Sequence, residues 1–333
     1  MAGLLGGGSR QSHAATFPPD RFYCLLDELP LHLVPRHTLC SRRPPPQPEQ
    51  LIVNPECVLC SDGELPDEMS SQRELLSGFA LQGTIAWVRD PVTRALLPFW
   101  LGPELEAVVR GFEPGDAVSS ALPGNSRDLL RGAGILIPAD QPEHLREGKD
   151  RIGESAAFFQ RRGYAPVPRL IHPFHVAALR RYYRYLIRSG ALHLGDKQSH
   201  RRYVAYNETV ARFFHRHIAA WVAVVAGCPV KPSYVYLASY LSGAELRKHT
   251  DRAQCEFSVT FCLDFSPEPV LETPWPIRLD TANGTVTVYQ ALGDGLVYRG
   301  TQIPHYRDCL GEGQTSTSIF FHYVPEEFEG SLE

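Results

Sequence analysis

The residues best suited to chemistry are two histidines and an aspartate in the C-terminal half of the chain. His249 and Asp251 are separated by one threonine, and His305 follows further along. Two imidazole nitrogens and one carboxylate oxygen form the facial triad that holds non-haem Fe(II) and leaves three coordination positions open. The sequence therefore predicts His249, Asp251 and His305 as metal ligands and catalytic residues. The alternative is a surface His-Thr-Asp turn with an unrelated histidine, because the chain has 13 histidines.

A sequence period of two, typical of β-strands, surrounds these three residues. Within one strand, His249 and Asp251 would face the same side, and a later strand would bring His305 toward them. After a first strand from about residue 232, the predicted strands cover residues 255–263, 276–280, 285–289, 295–298, 304–308 and 316–324. Several short strands separated by Asn-Gly-type turns fit a jelly-roll barrel.

Helical patterns and a polar segment divide the rest of the chain. Helices are predicted at residues 173–189 and 207–225, outside the barrel. Asn207 is the candidate N-cap of the second helix and Gly227 its candidate stop. The polar segment 141–154 is predicted to be a linker. The predicted fold class is therefore α+β, with an N-terminal α+β domain over residues 1–150. A double-stranded β-helix (jelly-roll) catalytic domain with supporting helices would cover residues 151–333.

The N-terminal domain has a recognisable order of elements. Residues 84–88 and 95–101 flank a turn and predict a β-hairpin. Helices are predicted at 103–110 and 126–132, followed by a short apolar strand. Over about residues 83–138 this order resembles the small winged-helix domains that hold precursor peptides in peptide-modifying pathways. The alternative is an α+β subdomain with a purely structural role.

A family resemblance covers about residues 164–325. The motifs that carry it are YLSGAELRKHTD (240–251), SVT (258–260), Trp275, GD (293–294), YRG (298–300) and HYR (305–307). These motifs resemble the Fe(II)/2-oxoglutarate-dependent dioxygenases, and in particular the prolyl 4-hydroxylase-like branch. The resemblance implies Fe(II) on the three ligands, 2-oxoglutarate and O2 as cosubstrates, and Tyr240 beside the 2-oxoglutarate. It also implies release of succinate and CO2 as the substrate is hydroxylated.

The chain departs from this family where 2-oxoglutarate is held. Members usually carry an Arg or Lys on the last strand, whereas residues 313–318 read GQTSTS. A buried dicarboxylate without a cation would be unfavourable. Arg307 is therefore predicted to bind the distal carboxylate, because it shares a strand face with His305 and its planar guanidinium can donate two hydrogen bonds. Ser316 and Ser318 share a face of the last strand and would add hydrogen bonds.

Other interpretations of these residues stay open at this point. Arg307 could instead be a surface arginine or pair with Asp308. Arg278 and Arg299 are weaker candidates for the same carboxylate. His322 has the parity of the two serines on the last strand, so it could orient a ligand or be a core histidine with a satisfied hydrogen bond.

Composition limits the classes of partner and compartment. The net charge of −4 argues against nucleic acid as a partner. No segment approaches the length of an apolar membrane span, and the first residues lack the pattern of a secretory signal. A cytoplasmic location with mostly free thiols is therefore predicted for the eight cysteines. The arginine pairs at 161–162, 180–181 and 201–202 are interpreted as solvated faces.

A second metal motif is weaker. His37-x-x-Cys40 and Cys57-x-x-Cys60 have the spacing of a zinc knuckle, but the loop between them is rich in proline. Ordinary thiols are the alternative. No phosphate-binding glycine loop, dinucleotide fingerprint or hydrolase elbow is found.

The sequence thus predicts an Fe(II)/2-oxoglutarate-dependent dioxygenase that hydroxylates an amino-acid, peptide or natural-product substrate. The carboxylate at Asp251 argues against a halogenase, since halogenating relatives have a small residue there. One alternative is a cupin-like metalloenzyme that does not use 2-oxoglutarate. Another is a non-catalytic binding or scaffold protein. The sequence makes no prediction about oligomeric state.

Overall fold

The structure is a computed structural model that describes residues 17–39, 50–118, 122–139 and 142–333, with side chains except at Leu39 and residues 142–151. The strands are β1 Leu51–Val53, β2 Cys57–Ser61, β3 Thr84–Arg89, β4 Leu96–Leu101, β5 Leu136–Pro138, β6 Tyr164–Val167, β7 His193–Leu194, β8 Arg202–Tyr206, β9 Val230–Tyr240, β10 Leu246–His249, β11 Phe257–Ser266, β12 Ile277–Thr281, β13 Gly284–Val288, β14 Gly295–Arg299, β15 His305–Arg307 and β16 Thr315–Pro325. The helices are α1 Arg36–Leu39, α2 Asp67–Ser70, α3 Pro103–Val109, α4 Gly124–Gly132, α5 Pro142–Arg162, α6 Pro173–Arg188, α7 Thr209–His217 and α8 Ala219–Ala226. Short 3-10 helices lie at Leu31–Leu33, Arg73–Leu76 and Ala253–Cys255.

Two antiparallel sheets make up the C-terminal half of the chain. The larger has the strand order β6-β14-β11-β16-β9-β8-β7, and the smaller has the order β10-β15-β12-β13. From β9 to β16 the chain alternates between the two sheets, with β12 and β13 together in the smaller one. This alternation is the arrangement expected of the predicted jelly roll.

The central strands β11 and β16 carry both the core and the site. Their residues alternate between two faces. On one face, Val259 pairs with Phe321 and belongs to the main apolar core beneath the helices. On the other face, Ser258 pairs with His322, so polar side chains line the interior of the barrel. Alternate residues of the same strands therefore face either the apolar core or the polar interior of the barrel.

The predicted helix over 207–225 is two helices in the structure. Helices α7 and α8 meet at Ile218. Glu208, not the expected Asn207, caps α7, because its carboxylate accepts the N–H groups of Val210 at 3.1 Å and Ala211 at 3.0 Å. The predicted end at Gly227 is confirmed, with a left-handed φ of 75° that suits glycine.

The predicted elements of the N-terminal region are present, but the winged-helix classification is not confirmed. The hairpin forms as β3 paired with β4, and the two helices form as α3 and α4. Strand β2 completes a three-stranded sheet. The chain segment that precedes β1 covers the free edge of β4, since the N–H of Leu26 donates to Trp100 O at 2.9 Å.

The predicted linker at 141–154 is wrong, because helix α5 begins at Pro142 and runs through it. Its C-terminal half is anchored by buried Phe159. The apolar core also includes residues from both sides of position 150. Phe22, near the start, contacts the rings of Tyr182 and Phe214 at centroid distances of 6.2 and 5.8 Å. The division into domains at residue 150 remains a prediction.

In two of the arginine pairs, one member is buried and not solvated as predicted. Arg180 is fully buried and donates to Asp264 and Glu268. Arg202 is 3% exposed and forms an ion pair with Asp196. Buried guanidinium groups need such partners, and a sequence does not display the distant carboxylates. Within the described ranges, no helix has the length and apolar character needed to cross a membrane.

Candidate metal centre

The two histidines and the aspartate predicted as ligands lie together at one end of the barrel. His249 ends β10, His305 begins β15, and the two residues are paired across the smaller sheet. Asp251 lies just beyond β10 rather than on it, where its N–H donates to Gly300 O at 2.9 Å. One donor atom from each of the three side chains lies within 4.8 Å of the others. This geometry contradicts a surface turn with an unrelated histidine.

Both imidazoles are oriented by the backbone. His249 Nδ1 lies 2.7 Å from Arg247 O, and His305 Nδ1 lies 3.0 Å from Ile303 O. A carbonyl oxygen accepts only, so each Nδ1 carries a proton, and in a neutral ring the lone pair is then on Nε2. Burial also lowers the pKa of His305, which favours the neutral ring that a metal ion requires.

The carboxylate of Asp251 is oriented as well. Its Oδ1 lies 3.7 Å from His249 Nε2 and 3.6 Å from His305 Nε2. Its Oδ2 accepts a hydrogen bond from Ser258 Oγ at 2.6 Å. Three potential metal-binding atoms therefore converge. The other polar atom of each of these side chains makes a hydrogen bond that fixes its orientation. The Asp251 and His249 side chains are 13% and 30% exposed, so the centre opens to solvent on one side.

Arg307 lies inside the barrel. It is 5% exposed, so the surface-arginine interpretation is wrong. Asp308 pairs instead with Arg278, at 2.7 Å. The Arg307 guanidinium donates to Trp275 O and to Gln290 Oε1, both uncharged, and its Nε has no partner within the described chain. Burial lowers the pKa of this guanidinium, because the surroundings stabilise its charge poorly.

The other residues predicted to contact 2-oxoglutarate are also interior. Tyr240 is 1% exposed and its ring lies 5.0 Å from that of Trp275, which in turn contacts Arg307. Ser316 and Ser318 are buried on β16, opposite Tyr240 and Ala238. Neither serine hydrogen-bonds to Arg307 among the described contacts, so their part in ligand binding stays a prediction.

The remaining sequence candidates fall elsewhere. Arg278 is half-buried beside Asp308, and Arg299 lies 3.7 Å from Glu256. Cys40 of the zinc-knuckle motif lies outside the described residues. Cys57 and Cys60 are buried on β2, and burial raises the pKa of the Cys57 thiol to about 12. Within the described chain, no metal-binding group includes either thiol.

A cavity of about 460 Å³ opens over the triad. Sequence analysis gave no role to several residues that shape it. Arg202 donates to the Tyr240 hydroxyl at 3.1 Å while paired with Asp196. Burial alone would raise the pKa of Asp196, but hydrogen bonds from Tyr236 and Arg202 outweigh burial and lower it to about 2. Period-two alternation on β8 and β9 could have indicated these inward-facing residues, but it could not show which charges pair.

The chain matches no protein-family model and no curated protein. Solved structures do resemble it. One is the non-haem α-ketoglutarate-dependent epimerase SnoN from nogalamycin biosynthesis, at 15% identity and TM-score 0.45 over 53% of this chain and 83% of that chain. A second is a prolyl-4-hydroxylase from Pseudomonas putida, at 17% identity and TM-score 0.42 over 51% of this chain and 98% of that one.

A third is HygX from Streptomyces hygroscopicus, solved with nickel, 2-oxoglutarate and hygromycin B bound. It is 13% identical, with a TM-score of 0.42 over 53% of this chain and 88% of that one. Of these three proteins, SnoN is described as α-ketoglutarate-dependent and HygX was solved with 2-oxoglutarate bound. At these identities and TM-scores, the similarity assigns neither a reaction nor a cofactor to this chain.

Proposed function

We propose that this protein is an Fe(II)- and 2-oxoglutarate-dependent dioxygenase that hydroxylates a small molecule or a peptide. His249, Asp251 and His305 would hold the iron, and Arg307 would bind the distal carboxylate of 2-oxoglutarate. The observation that carries the proposal is that one barrel contains both features. It holds a group of two histidines and one carboxylate in a fixed orientation, and a buried guanidinium with no anionic partner in the described chain.

The residues of the barrel fit these two ligands. Two neutral imidazoles and one carboxylate suit Fe(II) and leave positions for a bidentate ligand and for O2. A buried guanidinium without a counter-charge is unfavourable, and a carboxylate would remove that penalty through charge-assisted hydrogen bonds. The buried hydroxyl of Thr260, which also lacks a partner within the described chain, is a further polar atom available inside the barrel.

When bound, Fe(II), 2-oxoglutarate and O2 would supply oxidative decarboxylation to succinate and CO2, with one oxygen atom going to succinate and the other to a substrate C–H bond. The chain's own residues would set the geometry. The carbonyls of Arg247 and Ile303 keep a proton on each Nδ1, so that each Nε2 would face the metal ion. His305 Nε2 would exchange its contact with the Tyr298 hydroxyl, 3.3 Å away, for the metal ion. Trp275 and Tyr240 enclose the region around Arg307, so a bound carboxylate would be shielded from water.

The substrate would enter through the cavity above the triad. Its volume of about 460 Å³ lies within the range of small-molecule sites. Its wall combines tyrosine rings, such as those of Tyr206 and Tyr234, with charged groups, such as those of Asp196 and Arg252. An amino acid, the end of a peptide or a natural product carrying polar groups would match this lining. The cytoplasmic location also remains a prediction.

An anaerobic titration tests the proposal. Fe(II) and then 2-oxoglutarate are added to metal-free protein while the visible spectrum is recorded. We expect a metal-to-ligand charge-transfer band in the wild type and in His193→Ala, an exposed histidine on β7. His249→Ala should lack the band. Bound Fe(II) without a band would favour a cupin-like enzyme that does not use 2-oxoglutarate. Absence of Fe(II) binding would favour a scaffold protein.

A further inference from the structure

A chain of hydrogen bonds extends from the triad into the wall of the barrel. Ser258 Oγ lies 2.6 Å from Asp251 Oδ2 and 3.0 Å from His322 Nδ1. Ser258 and His322 are direct partners across β11 and β16, so the sheet register fixes their separation. Ser258 is fully buried and His322 is 6% exposed, so water competes little for these contacts.

The chemistry of the three groups sets the direction of the chain. A carboxylate only accepts hydrogen bonds, so the single Ser258 proton goes to Asp251 Oδ2. His322 Nδ1 must then be the donor to Ser258 Oγ. This direction places a proton on His322 Nδ1, 3.0 Å from Ser258 Oγ. The peptide carbonyl of His322 is held in turn by His215 Nε2 at 2.8 Å.

The surrounding backbone leaves little freedom for Asp251 or Ser258. The Asp251 N–H donates to Gly300 O. A Cβ atom placed on Gly300 would lie 2.4 Å from Ser258 Oγ and 2.5 Å from Asp251 Oδ2, so only glycine allows this approach. The hydrogen-bonded pair is therefore clamped between β11 and the end of β14.

We propose that Ser258 and His322 are positioning residues for the metal centre. Ser258 would hold Asp251 Oδ2, so that the metal ion meets Oδ1 alone and the aspartate ligates through one oxygen. His322 would act only through Ser258, by fixing the orientation of its hydroxyl. This inference rests on the proposed function, because it assumes that the triad binds a metal ion. Such outer partners are known to orient carboxylate and histidine ligands and to raise metal affinity.

A competing role for the same residues is a second metal site. Asp251, Cys255 and His322 also offer donor atoms within 4.8 Å of one another. Three observations oppose it. The Ser258 hydroxyl bridges two of the three side chains. The Cys255 thiol lies 3.1 Å from the Tyr234 hydroxyl, and burial raises its pKa to about 12, away from the thiolate that metals need.

The test measures Co(II) affinity by anaerobic titration of the full chain, with the visible d–d spectrum as a second readout. The variants are Ser258→Ala, His322→Phe and the double variant. Phenylalanine keeps the ring that lies against Tyr234, at a centroid distance of 4.6 Å, but removes the donor. Ser239→Ala is the matched control, because Ser239 is also buried and its hydroxyl lies 2.8 Å from that of Thr317.

We expect Ser258→Ala to weaken Co(II) binding about 10- to 100-fold, the range found for lost outer partners of metal ligands. Its d–d spectrum should change, because a freed Oδ2 can join the coordination sphere. His322→Phe should weaken binding in the wild-type background but add little in the Ser258→Ala background, because residues in one hydrogen-bonded chain are not additive. Ser239→Ala should bind Co(II) like the wild type.

The outcomes separate this inference from the function on which it rests. If the wild type binds neither Co(II) nor Fe(II), both are overturned. If the wild type binds and Ser258→Ala binds equally well with the same spectrum, only the positioning role is lost. If His322→Phe has its full effect in the Ser258→Ala background, His322 acts directly on the metal or as its ligand, and the proposed route through Ser258 is wrong.

Discussion

The Arg307 guanidinium lies 4.9 Å from the ring centroid of Trp275, inside the barrel and two residues beyond the candidate ligand His305. A cation over an aromatic face is stabilised by about 0.5–2 kcal/mol, which offsets only part of the cost of burying a charge. The hydrogen bonds of Arg307 to Trp275 O and Gln290 Oε1 offset a further part, but no carboxylate among the described residues balances the charge. A buried charge that lowers the stability of the fold is typical of a functional site, so we expect Arg307 to bind a ligand.

Arg307→Ala is therefore expected to weaken 2-oxoglutarate binding at least about ten-fold, since a hydrogen bond to a charged group contributes about 1.5–3 kcal/mol. Co(II) binding should be retained, because the triad is unchanged. Isothermal titration of both ligands measures this. Arg307→Met should leave the thermal stability of the metal-free protein equal or higher, because a buried unpaired charge is removed. Unchanged 2-oxoglutarate affinity in Arg307→Ala would overturn the assignment.

Short-range sequence patterns predicted much of the fold. The alternation around Tyr240 and the spacing of His249 and Asp251 indicated strands and a shared site, because strand periodicity is local. The expectation that His249 and Asp251 share one strand was wrong, because Asp251 lies beyond the end of β10 and its N–H donates to Gly300 O, a contact between distant segments. The break in the helix at Ile218 was missed for a similar reason, because packing can override a continuous apolar pattern.

The pairing of charges was the least predictable feature. Arg180 and Arg202 looked like surface residues, yet each is buried with a carboxylate partner. Arg307 was predicted instead to bind a ligand carboxylate, and it is buried with no carboxylate partner within the described chain. The three differ only in which side chains the barrel brings near them. The two-residue spacing from His305 placed Arg307 on the same strand face. That no carboxylate lies beside it among the described residues could be seen only in the folded structure.

Gly300→Ala should damage the metal centre. The added Cβ would lie 2.4 Å from both Cys255 O and Ser258 Oγ, well inside contact distance. Relief of this clash would displace Asp251, so we expect weaker Co(II) binding than in the wild type and a lower melting temperature. Gly153→Ala is the control, because nothing lies within 4 Å of its Cβ position in helix α5, where alanine is favoured. Equal Co(II) affinity in Gly300→Ala would show that the clamp is dispensable.

Phe22→Ala tests whether residues before and after position 150 fold as one unit. The Phe22 ring is fully buried and contacts rings from both sides of that position, including Trp100 and Phe214. Truncation of a buried phenylalanine typically costs about 3–5 kcal/mol. We expect a single unfolding transition shifted to lower urea concentration. Leu31→Ala, at a site 57% exposed, should have little effect. Two separate transitions, with only one shifted by Phe22→Ala, would instead support independent domains.

Mild acid should destabilise the protein through buried histidines. Burial lowers the pKa of His215 to about 3 and that of His217 to about 4, from 6.5. Their folded forms therefore stay neutral below pH 6.5 while the unfolded chain takes up protons. Each histidine should remove about 1.4 kcal/mol of unfolding free energy per pH unit until the pH approaches its folded pKa.

Urea denaturation between about pH 7.5 and pH 5 measures this slope, in a range where carboxylates contribute little. His215→Gln can still donate a hydrogen bond to His322 O but cannot titrate. The slope of its unfolding free energy against pH, below pH 6.5, should therefore correspond to about one proton fewer taken up on unfolding. His193→Gln, at an exposed site on β7, should keep the wild-type slope. An unchanged slope in His215→Gln would mean that His215 is protonated in the folded protein, and that its ring is less isolated from solvent than its complete burial implies.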